Sequence, residues 1–131
     1  MNAEGSKTGR YAVLKTDGRL VIKRTGADEE FALELMQKEV GGYIEMLVMS
    51  AWFNERKIDC ICNEDGKLRN FPLNEVATKA YGVADDCIVG DLLICGFTEM
   101  GDSVCLTDEQ IQAVKEKFTE LGAKVVENGE D

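Results

Sequence analysis

Histidine is absent from this 131-residue chain, and proline and tryptophan occur once each. Without histidine, no Ser-His-Asp or Cys-His nucleophile forms within one chain. Zinc sites that combine cysteine with imidazole are excluded as well. Any catalyst would have to use a carboxylate, a lysine or a cysteine with a tuned pKa. The phosphate-binding loops GxGxxG and GxxxxGK[ST] are missing, so no nucleotide cofactor is expected. NEDGK carries Asn63, Asp65 and Gly66 but lacks the spacing and terminal glutamate of a calcium loop. No apolar run reaches the roughly 18 residues of a membrane span. The first residues, MNAEGSKTGRYAV, contain no signal-peptide h-region, so a cytoplasmic protein away from membranes is expected.

The composition is that of one globular domain, 44% hydrophobic and 31% charged. Five cysteines, Cys60, Cys62, Cys87, Cys95 and Cys105, sit mostly among aliphatic neighbours. With no secretion signal they read as reduced, buried, small apolar residues. The CxC of Cys60 and Cys62 is expected to share one strand face rather than form half a metal site. The net charge is −10, but residues 1–25 hold six bases and two acids, net +4, which leaves −14 for the rest. An acidic body argues against direct binding of nucleic-acid backbones. It also allows the alternative that the surface imitates a nucleic acid.

Residues 1–9 are polar and expected to be disordered, residues 10–123 to form one domain, and 124–131 to be an acidic tail. RYAVLKTDGRLVIKRT predicts a hairpin turning at Asp17-Gly18, its lysines and arginines marking an edge of the sheet. A helix is expected from about Asp28 to Val40, opened by Asp28, Glu29 and Glu30 and stopped by Gly41-Gly42. Ala32, Leu35, Met36 and Val40 form its apolar face. YIEMLVMSAWF reads as a central strand covered on both faces, interrupted by Glu45, with Trp52 and Phe53 at its end as a candidate stacking platform. KIDCICNEDGKLRNF predicts a second hairpin around Asp65-Gly66. Pro72 ends the pairing, and Asn74 caps a short helix that Gly82 closes. Two further strands flank Gly101-Asp102, and Thr107 with Gln110 predicts a capping box on a last helix. This order predicts an α+β domain: a largely antiparallel sheet of five or six strands with two main helices and one short helix packed on it.

GGYIE (Gly41 to Glu45), NEDGK (Asn63 to Lys67), PLNEVAT (Pro72 to Thr78) and VGD (Val89 to Asp91) occur in that order. Together they resemble a bacterial and phage family known as domain of unknown function 3846, over roughly residues 11–97. The resemblance implies a phage, mobile-element or gut-bacterial setting and supplies no activity, cofactor or catalytic residue. It does group polar residues from separate segments. Tyr43, Glu45, Asn63, Glu64, Asn74, Thr78 and Asp91 are expected to line one shallow ligand-binding cleft, assisted by Lys67 or Arg69. The start of the short helix at Asn74 would favour an anion there.

The leading expectation is a non-enzymatic binding protein, an accessory factor of a phage or mobile element. Its partner would be a protein or a small anionic ligand, and the protein itself a monomer or homodimer. Two alternatives stand beside it. One is an enzyme using Glu45 or Glu64 as general base, which requires a dry cleft and a raised carboxylate pKa. The other is an acidic mimic of nucleic acid, with acids spaced along one face.

Overall fold

The computed structural model describes residues 5–127. Asp17-Gly18 turns the chain, with the Gly18 N–H donating to the Lys15 carbonyl at 2.9 Å. The flanking strands β1 (Arg10–Leu14) and β2 (Arg19–Arg24) pair antiparallel, Leu14 opposite Leu20. This hairpin lies inside the sheet, not at its edge: β1 is bordered by β5 (Leu92–Phe97), and β2 by β7 (Lys124–Val126). Tyr11 to Leu14 and Leu20 to Ile22 are buried. Three of the basic residues that suggested a wet edge are matched instead, Arg10 by Asp108 at 2.8 Å, Lys15 by Asp91 at 3.1 Å and Lys23 by Glu39 at 2.9 Å.

Seven strands form one sheet, in the order β3 (Ile44–Met46), β4 (Ile58–Asn63), β5, β1, β2, β7, with β6 (Ser103–Val104) also on β5. Every pairing is antiparallel except that of β2 with β7. Alternate residues of each strand face opposite sides, so Tyr11 and Val13 enter one core while Ala12 and Leu14 enter the other. One face is covered by α1 (Leu33–Val40) through Leu35, Met36 and Val40. The other face is covered by α2 (Ala51–Glu55), α3 (Glu75–Tyr81) and α4 (Asp108–Glu120). Phe53 of α2 and Phe118 of α4 meet there with ring centroids 6.1 Å apart. Burying each of these rings contributes about 2 kcal/mol.

The α+β class and the mostly antiparallel sheet are as expected, but the sheet has seven strands rather than five or six and there are four helices rather than three. α1 starts at Leu33, and Asp28, Glu29 and Glu30 lie in the preceding loop. Its C-terminal Gly41 adopts the left-handed conformation, φ 80°, and its N–H closes on the Gln37 carbonyl. YIEMLVMSAWF is not a central strand. Its first part is β3, a three-residue edge, and its last part is helix α2. Met49 and Phe53, four residues apart, both bury toward the same core, the spacing of one helix face.

No strand returns after Asp65-Gly66; β4 pairs with β3 and β5 instead of forming a second hairpin. Lys124 to Val126, placed in the tail by sequence, form β7 beside β2. Near the other end, the Lys7 carbonyl accepts from Phe31 N–H and the Ser6 carbonyl from Cys105 N–H, so these residues are hydrogen-bonded into the domain. The capping box holds, with the Thr107 hydroxyl accepting from Gln110 N–H at 3.1 Å and the Gln110 side chain accepting from Thr107 N–H at 2.8 Å. Of the tails expected at 1–9 and 124–131, residues 1–4 and 128–131 lie outside the described residues.

Candidate functional site

Asn74 is 1% exposed, and its side chain is fully committed. Its Oδ1 accepts from Ala77 N–H at 3.1 Å, which caps α3, and its Nδ2 donates to the carbonyls of Leu14 and Gly90 at 3.0 and 2.9 Å. One residue therefore ties the start of α3 to β1 and to the loop entering β5. Thr78, one turn later, donates its hydroxyl to the Asn74 carbonyl and accepts from Ile88 N–H, both at 2.9 Å. Asn63 is buried too, with Nδ2 donating to the Val40 carbonyl at 3.0 Å and Oδ1 accepting from Asp65 N–H at 2.7 Å. Asp91 accepts from Lys15 Nζ and from Thr16 N–H, each at 3.1 Å.

The glycines of the same segments fit this network sterically. A Cβ on Gly90, whose φ is 79°, would sit 2.7 Å from Phe71 Cδ2, and one on Gly42 would sit 2.9 Å from Asn63 Nδ2. The pattern that carries the family resemblance thus converges on packing and hydrogen bonding between segments. Pro72 belongs here as well, its carbonyl accepting from Gly90 N–H at 2.8 Å.

Of the seven residues expected to share a cleft, Glu45, Asn63 and Glu64 are brought together. They border a pocket of about 100 Å³ on the α3 side of the sheet, with Lys67, Asp86 and Cys87. Lys67 Nζ lies 2.6 Å from Asp86 Oδ1. That bond holds the Asp86 carboxyl below its ordinary range and raises the Lys67 ammonium, with the Cys87 N–H adding to the first effect. Glu45 and Glu64 are exposed. Cys62, at the pocket floor, has its thiol pushed up to about 11, chiefly by burial and then by the Glu45 charge. Asn74 and Thr78 do not border this pocket, and Asp91 faces a separate groove near Lys15, Lys23 and Lys38. In that groove Lys15 and Lys23 are matched by Asp91 and Glu39.

Tyr43 leads into β3, and there the structure shows what the sequence pattern missed. The Glu64 N–H donates to the Tyr43 carbonyl at 2.9 Å, and the Leu47 N–H to the Cys60 carbonyl at 3.0 Å. In an antiparallel pair, bonded and non-bonded positions alternate. Tyr43, Glu45 and Leu47 therefore turn their main-chain groups toward β4, and Ile44 and Met46 turn theirs toward the open side. Side chains alternate as well. Ile44 packs into the α1-side core and Leu47 against the opposite one, so Met46 lies on the α1 side and Glu45 on the α3 side. Tyr43, Met46 and Val48 are 68%, 48% and 85% exposed, three large apolar side chains within six residues. The signal for this edge was Glu45 itself, a carboxylate interrupting an apolar run.

Trp52 does not present a bare stacking surface: the Arg56 guanidinium and the Lys117 ammonium lie 4.4 and 4.9 Å from its ring centroid. The cysteines are free thiols, and among the described residues no group of three Cys, Asp or Glu side chains is arranged to hold a metal ion. No helix among them is long and apolar enough to cross a membrane.

The arrangement defines a single-sheet α+β domain with helices on both faces and three-residue strands, β3 and β7, at its two ends. Its family follows from the sequence match: the model described as Domain of unknown function (DUF3846) covers residues 11–119, and the chain belongs to that family. The match runs beyond residue 97 and takes in nearly all of α4. No curated protein and no solved structure matches the chain.

Proposed function

We propose that this protein is an interaction domain whose β3 edge accepts an extended segment of a partner polypeptide as an added strand. The observation that carries this reading is the outward aim of the Ile44 and Met46 main-chain groups beside exposed Tyr43, Met46 and Val48. Added strands gain affinity from main-chain hydrogen bonds and specificity from alternate side chains. Edge strands are usually blunted by covering or charge. This one is short and carries a carboxylate at its centre, which discourages indiscriminate pairing while leaving the outward main-chain groups to a complementary partner. A cytoplasmic accessory factor in the phage or mobile-element setting suits such a role.

The protein-partner version of the binding role is preferred to the small-anion version because of the charges around the pocket. Two exposed glutamates border the pocket, and its lysine is already held by Asp86. The buried side chain of Asn74 is used within the fold. The enzymatic alternative asks for a desolvated carboxylate, and both Glu45 and Glu64 are exposed.

The test is a titration of ¹⁵N-labelled protein with a short blocked peptide alternating valine and lysine. Expected are amide shifts concentrated at residues 43–48 and the loss of those shifts when alternate peptide nitrogens are methylated. Equal binding of the methylated peptide would contradict strand addition.

A further inference from the structure

We infer that the strand taken up at β3 is one that alternates apolar and basic side chains, its apolar residues on the α1 side and its lysines or arginines on the α3 side. This inference rests on the edge reading above and names the partner's chemistry. A strand laid along β3 must continue the alternation of the sheet. On the α1 side its side chains meet Ile44 and Met46, with Val48 beyond, all apolar. On the α3 side they meet Glu45 between Tyr43 and Leu47, and past it the pocket bordered by Glu64, Lys67 and Asp86. The Lys67 charge is offset by Asp86 at 2.6 Å, so the two exposed glutamates set the sign of that side.

The pocket of about 100 Å³ has room for the end of one long side chain. A lysine or arginine reaches it with an apolar stem and a charged tip. A wholly apolar strand would bury Glu45 beside it without a partner, which is costly. The same carboxylate that keeps indiscriminate strands away therefore selects a basic one. The chain's net charge of −10 adds long-range attraction for such a segment and opposes a second copy of itself.

The experiment compares three blocked peptides of equal length, alternating valine with lysine, with glutamine or with glutamate, against wild type and a Glu45→Gln, Glu64→Gln variant. All are followed by the Ile44, Met46 and Val48 amides. Wild type is expected to bind the lysine peptide about threefold more tightly per facing charge than the glutamine peptide, and the glutamate peptide most weakly. The double variant is expected to lose the preference while keeping the glutamine peptide. Equal affinity for all three overturns the basic-partner inference and leaves the edge reading standing. No peptide perturbing these amides overturns both. Shifts spread over the whole acidic surface overturn the inference in favour of nonspecific attraction. Line broadening of the same amides with protein concentration alone overturns it in favour of a second copy as occupant.

Discussion

Asn74 and Glu45 belong to one sequence pattern and live in opposite physical settings. Asn74 is buried and makes three hydrogen bonds that join α3, β1 and the loop before β5. Glu45 is exposed on a three-residue strand at the rim of the sheet. A buried amide in a network is expensive to remove, because its former partners stay buried. A carboxylate at a wet edge is cheap to remove and available to a partner. Grouping by sequence pattern alone mixes these two kinds of residue, and burial separates them.

The sharpest way to break this contrast is Asn74→Ala. It uncaps α3 and strands the Leu14 and Gly90 carbonyls, so a loss of about 3 kcal/mol is expected in urea unfolding. A loss below about 0.5 kcal/mol would remove Asn74 from the structural side. Gly90→Ala comes next, at about 2 kcal/mol, because its backbone is left-handed and a Cβ would crowd Phe71 at 2.7 Å. Thr78→Val keeps the shape and deletes the hydroxyl between Asn74 and Ile88, with an expected cost of about 1 kcal/mol.

Asp59 sharpens the comparison from within β4. It is half-buried, and burial raises its carboxyl pKa with no charge or hydrogen bond to offset the shift. The folded state then binds this proton more tightly than the unfolded chain. Its contribution therefore falls as pH rises above the ordinary aspartate value of about 4 and through the raised one. Asp59→Asn is expected to stabilise the protein slightly at neutral pH, with the gain fading below about pH 4, as read from unfolding midpoints across pH. The smallest effect belongs to Glu45→Gln and Glu64→Gln, each expected to leave unfolding within about 0.5 kcal/mol of wild type while altering peptide preference.

Much of the framework was legible because local chemistry and the fold agree. Asp17-Gly18, the Asn74 cap, Gly82 and the Thr107–Gln110 box all act as their residue types dictate. The errors fall where local pattern is ambiguous. YIEMLVMSAWF is mostly apolar, and a largely apolar run does not distinguish a covered strand from an edge strand followed by a helix. The basic residues of β1 and β2 look solvated in sequence, and only the fold supplies Asp108, Asp91 and Glu39 as partners. The parallel β7 came from a segment read as tail, since three residues carry too little periodicity to announce a strand. Asn63, Glu64 and Glu45 border one pocket, whereas Thr78, expected beside them, is bonded to Ile88 10 residues on, a contact that no local pattern announces.

Strand addition requires β3 to be an open edge, and amide hydrogen exchange of the free protein measures that directly. The Leu47 amide, bonded to the Cys60 carbonyl, is expected to exchange slowly, and those of Ile44 and Met46 rapidly. Addition of the valine–lysine peptide should slow Ile44 and Met46 selectively. Protection of Ile44 and Met46 equal to that of Leu47 in the free protein would show the edge already covered and contradict the account.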